Sequence, residues 1–195
     1  MLTPEILDTF RGLLDEAKAS GDREPTAMNL ATVDGTGRVH SRIVLLKAID
    51  EHGLHFFTNY ESAKAGEIAA HGQVAVCFHW KQIREGIQVR FEGRASKVSD
   101  AESDAYFASR PRGSQIGAWA SKQSQELPNR QTFEDRVAHY EKEFDGRDVP
   151  RPAHWGGYLV EPDRIEFWYG ATFRLHERIV HTDHGTSWTS RLLYP

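Results

Sequence analysis

The chain has 195 residues, 39% hydrophobic and 27% charged, with a formal net charge of -4. This balance suits one folded domain with a substantial core, excludes intrinsic disorder, and offers no general basis for nucleic-acid binding. No basic-then-apolar leader opens the sequence and no run approaches the ~18 apolar residues that span a bilayer, so a cytoplasmic location and no membrane contact are expected.

After Thr3-Pro4, an N-cap with proline at the first helical position, Ile6, Leu7, Phe10, Leu13, Leu14 and Ala17 recur at helical spacing. An amphipathic helix is expected there, within 1–20. From Ala27 to Val98 the pattern changes to short β-branched and aromatic runs: Met28–Val33, Val39–Lys47, Leu54–Thr58, Val74–His79 and Gln88–Val98. Asp34-Gly35-Thr36-Gly37 and Asp50-Glu51-His52-Gly53 are hairpin signals between them, and a short helix over Ser62–Ala70 interrupts the series. Cys77, the one cysteine, lies in an apolar run and reads as an inert core thiol; an intrachain disulfide or cysteine-based zinc cluster is excluded.

Ser99-Asp100-Ala101-Glu102 has capping-box spacing and starts a helix through Tyr106 and Phe107 that stops near Arg110-Pro111. Ser121–Arg130 reads as a long polar loop, and Phe133, Val137, Tyr140 and Phe144 mark one face of a further helix. Strands return at Gly157–Val160, Ile165–Tyr169, Phe173–His181 and Ser187–Leu193, with His184-Gly185 as a turn. Many short antiparallel strands favour a barrel, because closure removes exposed edges. A single domain over 1–195 is expected: barrel strands in 27–98, a helical segment in 99–146, and terminal strands in 155–195.

Four clusters could carry chemistry. Arg42-Ile43-Val44-Leu45-Leu46-Lys47 is an apolar strand bracketed by cations, which either snorkel to solvent or bind phosphate. Ser62-Ala63-Lys64 opens a short helix just after Phe57-Thr58-Asn59; its free amides suit an anion, or Ser62 is only a cap. Tyr106 and Arg110 lie four apart, on one helix face, and with Ser114 form a phosphate-sized donor set or merely a stabilised helix end. On a strand, Arg174, His176 and Arg178 share one face, where they repel unless an anion or carboxylate sits among them. The ten histidines show no HExxH spacing, so no metal is expected. GxGxxG, a P-loop and GxSxG are also absent.

In this order the segments resemble the pyridoxamine 5′-phosphate oxidase family from about Ala27 to Pro195. The most specific stretches are Arg42–Lys47, Arg110–Ser121, Lys122-Gln123-Ser124, Trp155-Gly156-Gly157, Ile165–Trp168 and Arg174-Leu175-His176. The resemblance implies a mainly β (α+β) fold, an antiparallel Greek-key split β-barrel with peripheral helices, forming a homodimer with FMN at the interface. It assigns FMN contacts to Arg42, Ile43, Val44, Leu45, Leu46, Lys47, Phe57, Thr58, Lys64 and Gln88, with Gln123, Ser124, Trp168 and Arg178 completing the flavin site. Substrate phosphate falls to Lys47, Tyr106, Arg110 and Ser114; Arg174 and His176 contact the pyridine part and form the catalytic pair. The implied reaction oxidises pyridoxamine 5′-phosphate or pyridoxine 5′-phosphate to pyridoxal 5′-phosphate, with hydride passing to FMN and O2 reduced to H2O2. Ala63 stands where many family members carry arginine. A phenazine-type flavin oxidase on the same barrel and a non-catalytic FMN or pyridoxal-phosphate carrier are the competing readings.

Overall fold

The computed structural model describes Met1–Pro195. Helix α1, Pro4–Ala19, begins as its sequence requires: Thr3 is extended, and its hydroxyl accepts from the Ile6 amide at 3.4 Å. The six apolar positions expected on one face are all buried. Phe10 anchors that face by edge contacts with Phe78 and Phe91, both at 5.1 Å between ring centroids. Burying one such ring stabilises the fold by about 1.5–3 kcal/mol.

Nine strands follow: β1 Ala27–Val33, β2 Val39–Leu45, β3 Ala48–Ile49, β4 Leu54–Asn59, β5 Gln73–Trp80, β6 Ile87–Lys97, β7 Trp155–Tyr169, β8 Glu177–Asp183 and β9 Trp188–Leu193. They make one antiparallel sheet in the order β2-β1-β5-β6-β7-β4-β3, with β8 on β7 and β9 on β8. The first half of β7 pairs with β4 and its second half with β8, on the edge opposite β6, so the sheet divides there. Beyond β2 the chain turns back across the opening: the Leu46 amide donates to Thr26 O (2.9 Å) and the Lys47 amide to His55 O (2.9 Å). The result is a curled half-barrel, its core filled by α1.

Helix α2 is Ala63–His71, α3 Asp100–Ser109, α4 Arg112–Ala120 and α5 Arg130–Glu143. The last three enclose a smaller core of Phe107, Ile116, Phe144, Val149 and Trp155. No helix is long and apolar enough to cross a membrane.

Several expectations need correction. Helix α4 is absent from the sequence reading, because Pro111, Gly113 and Gly117 conceal its short apolar face. Arg110 is not one turn along α3 from Tyr106; it is the C-cap, in extended conformation. The two strands expected over 157–169 are one, since Pro162 sits opposite Gly93 beside a bulge and costs no ladder bond. The strand expected from Phe173 begins only at Glu177: Phe173 and Arg174 have φ of 55° and 62°, in a tight turn. Alternation therefore does not align Arg174, His176 and Arg178. Strand β2 is not buried within one chain, as Ile43 is 62% exposed, and Cys77 is half-buried, its thiol pushed up by burial.

Candidate active site

One cleft of about 860 Å³ opens between the end of β2, β4, the start of α2, the α3–α4 corner and the loop before α5. Arg42, Ile43, Val44, Leu45 and Lys47 line one wall, and Phe57, Thr58 and Lys64 its floor. Tyr106, Arg110 and Ser114 face them, with Gln123 and Ser124 closing the end. Leu46 does not line the cleft; it turns into the core.

Lys64 is the most telling group. Its ammonium is buried and donates to Gln123 Oε1 (2.8 Å), Thr58 Oγ1 (3.0 Å) and Ser62 Oγ (3.0 Å), all neutral acceptors. Burial, and then the charge of Arg42, pushes its pKa down to about 8. A cation held so is stabilised by an anion. Ser62 caps nothing through its side chain and instead donates to Asn59 O (2.8 Å), while the first amides of α2 lack helical partners, as at any helix start.

Arg42 reaches the same wall by a different route. Its guanidinium donates to Glu67 Oε2 at 2.9 Å, to Leu30 O at 3.3 Å and to Thr32, leaving the Nε side of the fork free. Glu67, one turn beyond Lys64 on α2, is a buried carboxylate the sequence reading missed; its signal is the i,i+3 spacing from Lys64. Burial raises its pKa, but the Thr32 hydroxyl and Arg42 outweigh that and hold it below the usual value.

At the other side, Tyr106 stacks on Phe57 with ring centroids 4.0 Å apart, and the Arg110 guanidinium lies 4.5 Å from the Trp155 ring centroid. Gln115 of α4 donates to Phe107 O (2.9 Å), tying down the corner that carries Arg110. The Nη1 atom of Arg110 is buried and has no acceptor, and burial lowers its pKa. A buried donor without a partner costs about 1–3 kcal/mol. Arg110 also lines the cleft, where an oxyanion meeting its guanidinium would offset part of that cost.

The remaining expected residues lie elsewhere. Gln88, Trp168 and Arg178 are cross-strand neighbours on β6, β7 and β8, and the His176 ring packs on Trp168 at 4.5 Å between centroids. Arg178 donates to the buried carboxylate of Glu166 at 2.8 Å, so a carboxylate answers its charge. His176 Nδ1 accepts from the Ala171 amide (3.1 Å), leaving Nε2 unpaired, and Arg174 is exposed. None of these five lines the cleft of its own chain.

The donor set fits FMN: cations, hydroxyls and amides for a phosphate, and the apolar Ile43–Leu45 wall for a flat ring. A half-barrel bearing such a cleft defines the split-barrel flavoproteins. Residues 14–143 match the family described as pyridoxamine 5′-phosphate oxidase, and residues 155–195 match the pyridoxine 5′-phosphate oxidase C-terminal dimerisation region. The pyridoxine/pyridoxamine 5′-phosphate oxidase of Xanthomonas campestris pv. campestris (strain 8004) is 54% identical, covering 100% of this chain and 98% of its own length. That of Myxococcus xanthus (strain DK1622) is 49% identical over 100% of this chain and 94% of its own. Among solved structures, PhzG from Burkholderia lata 383, in complex with tetrahydrophenazine-1-carboxylic acid, superposes with a TM-score of 0.92 at 30% identity, covering 100% of this chain and 98% of that one. The chain belongs to the pyridoxamine 5′-phosphate oxidase family.

Proposed function

We propose that this protein is an FMN-dependent oxidase that converts pyridoxamine 5′-phosphate and pyridoxine 5′-phosphate to pyridoxal 5′-phosphate, reducing O2 to H2O2. The observation that carries the reading is Arg110, half-buried with its Nη1 lacking an acceptor, sharing one cleft with Lys47, Tyr106 and Ser114. That set suits a substrate phosphate, while Lys64, Arg42, Thr58, Gln123 and Ser124 suit the phosphate of FMN. Relatives about half identical over the whole chain carry the same activity in their names.

Each charge-assisted hydrogen bond contributes about 1.5–3 kcal/mol, and holding a ligand at nanomolar affinity takes about 12 kcal/mol net. Several donors must therefore act together. When bound, FMN supplies the redox chemistry, accepting hydride equivalents from substrate C4′ and delivering electrons to O2. Lys47, Tyr106, Arg110 and Ser114 hold the substrate phosphate as a remote handle, so that binding energy fixes the reacting carbon. Ile43, Val44 and Leu45 exclude water from one wall.

Gln88, Trp168, Arg174, His176 and Arg178 act on the cleft of a second copy in this reading. Support comes from the apolar side chains each chain leaves uncovered, Ile43 on β2 and Phe173, Leu175 and Leu192 near β8 and β9; Phe173 is 91% exposed. The match of residues 155–195 to a dimerisation region supports the same arrangement. Arg174 would then orient the pyridine ring, and the unpaired Nε2 of His176 would hold or release the proton of the substrate amine or alcohol.

A phenazine precursor has no phosphate to answer Arg110, which argues against the phenazine-type reading despite the similarity to PhzG. Oxygen consumption by the FMN-loaded protein tests the proposal. Turnover is expected with both phosphorylated vitamers and not with their unphosphorylated forms. Equal turnover of both forms, or none, refutes it.

A further inference from the structure

His55 lies on β4, two residues before Phe57, so both side chains project from the same face of the strand. Its ring is buried between two carboxylates: Nδ1 is 2.7 Å from Glu102 Oε1 and Nε2 is 3.0 Å from Asp50 Oδ2. The His55 carbonyl also accepts the Lys47 amide at 2.9 Å. Glu102 is one turn before Tyr106 on α3, and Tyr106 stacks on Phe57. One face of β4 thus meets one face of α3 at two points, a charged hydrogen bond and an aromatic stack. A capping box calls for Glu102 to turn back to Ser99; instead only Ser99 caps the Glu102 amide (3.1 Å), and the carboxylate is committed to His55.

We propose that His55 is a positioning residue for the substrate phosphate: through Glu102 and its own carbonyl it sets the spacing between Lys47 on one wall of the cleft and Tyr106 and Arg110 on the other. This rests on the proposed oxidase function. Helix α3 has other anchors, Ser103 Oγ to the Gly157 amide (3.2 Å) and Arg151 to Asp100 (2.8 Å) and Asp104 (2.6 Å). Loss of the His55 contact therefore shifts the helix rather than detaching it. Displacements near 1 Å in a positioning contact are enough to change binding or rate substantially.

The test compares FMN-loaded wild type with Glu102→Ala, which alters only a half-exposed helical position, and with His55→Val, which suits a strand. Both variants are expected to raise KM for pyridoxamine 5′-phosphate about tenfold and to weaken competitive inhibition by inorganic phosphate in parallel. The kcat stays within about twofold and the FMN dissociation constant is unchanged. Because both act through one contact, the double variant is no worse than the poorer single one, and His55→Gln, which keeps a donor toward Glu102, recovers part of the loss. An unchanged KM in Glu102→Ala, additive effects in the double variant, or a fall in kcat without a change in phosphate inhibition would overturn the proposal. Wild type without turnover of either phosphorylated vitamer overturns the functional reading first, and this inference with it. Should His55→Val fail to fold, Glu102→Ala and His55→Gln decide.

Discussion

Replacing Lys64 by methionine removes the cleft's buried ammonium while keeping an unbranched side chain of similar length. In the FMN-free protein that ammonium is costly: the fall in its pKa from 10.5 to about 8 corresponds to a ceiling of about 3 kcal/mol, at about 1.4 kcal/mol per tenfold step. Partial solvent screening reduces this to roughly 1–2 kcal/mol. The sign follows from proton counting. Between about pH 8 and 10.5 the unfolded chain keeps the proton and the folded one does not, so apoprotein stability from this group rises with pH across that window. FMN binding runs the other way: its phosphate favours the charged lysine, so the dissociation constant of wild type climbs above pH 8 by up to about tenfold per pH unit. The phosphate itself, with a second pKa of about 6, contributes nothing to that slope. Lys64→Met should bind FMN about 10–150-fold more weakly at pH 7, equivalent to one lost charge-assisted bond of about 1.5–3 kcal/mol. It should also lose the alkaline slope. Flavin fluorescence titrations at pH 7, 8 and 9 measure both. Equal affinity in the variant, or a wild-type profile flat through pH 9, refutes the assignment of Lys64 to the FMN phosphate.

Arg110→Ala is expected to raise KM for pyridoxamine 5′-phosphate about 10-fold or more by steady-state kinetics while leaving FMN content intact. Because it deletes an unpaired buried donor, the apoprotein melting temperature should hold or rise. Glu67→Gln frees Arg42 and should destabilise the fold by about 1–3 kcal/mol in urea titration. Since the Glu67 carboxyl is held below its ordinary value, its stabilisation is present above the unfolded pKa and disappears on acidification; the variant's deficit should shrink below about pH 4. Ile43→Asp places a charge on the exposed apolar patch of β2 and should yield a folded monomer with weakened FMN binding, read by light scattering and absorbance. Gly93→Ala should lower the melting temperature by several degrees, because a methyl there collides with the Glu161 carbonyl across the bulge.

Local chemistry carried much of the fold. Thr3-Pro4 and the 3.6-residue period located α1, and the Asp/Gly turns located the β1–β2 hairpin and the turn before β4, because caps and turns depend on residues close in sequence; the two-residue β3 that pairs with β4 there was not expected. The Tyr106, Arg110 and Ser114 set was legible as chemistry but not as geometry: the extended C-cap at Arg110, not helical spacing, turns its guanidinium to the cleft.

The sequence by itself determined the inventory: a mainly β domain, four chemically distinct clusters of cations and hydroxyls, and the family to which their order belongs. Only the tertiary structure decided how they are partitioned. Lys47, Lys64, Arg42 and Arg110 meet in one cleft although up to 68 residues separate them, whereas Arg174 and His176 lie in the turn before β8, and Arg178 on β8, outside that cleft. It also decided which charges are answered by a carboxylate of the same chain, Arg42 by Glu67 and Arg178 by Glu166, and which in the cleft are not, among them Lys64 and Arg110. Turn and helix signals act over a few residues, but burial and long-range pairing depend on sheet register and helix docking, which no local pattern encodes.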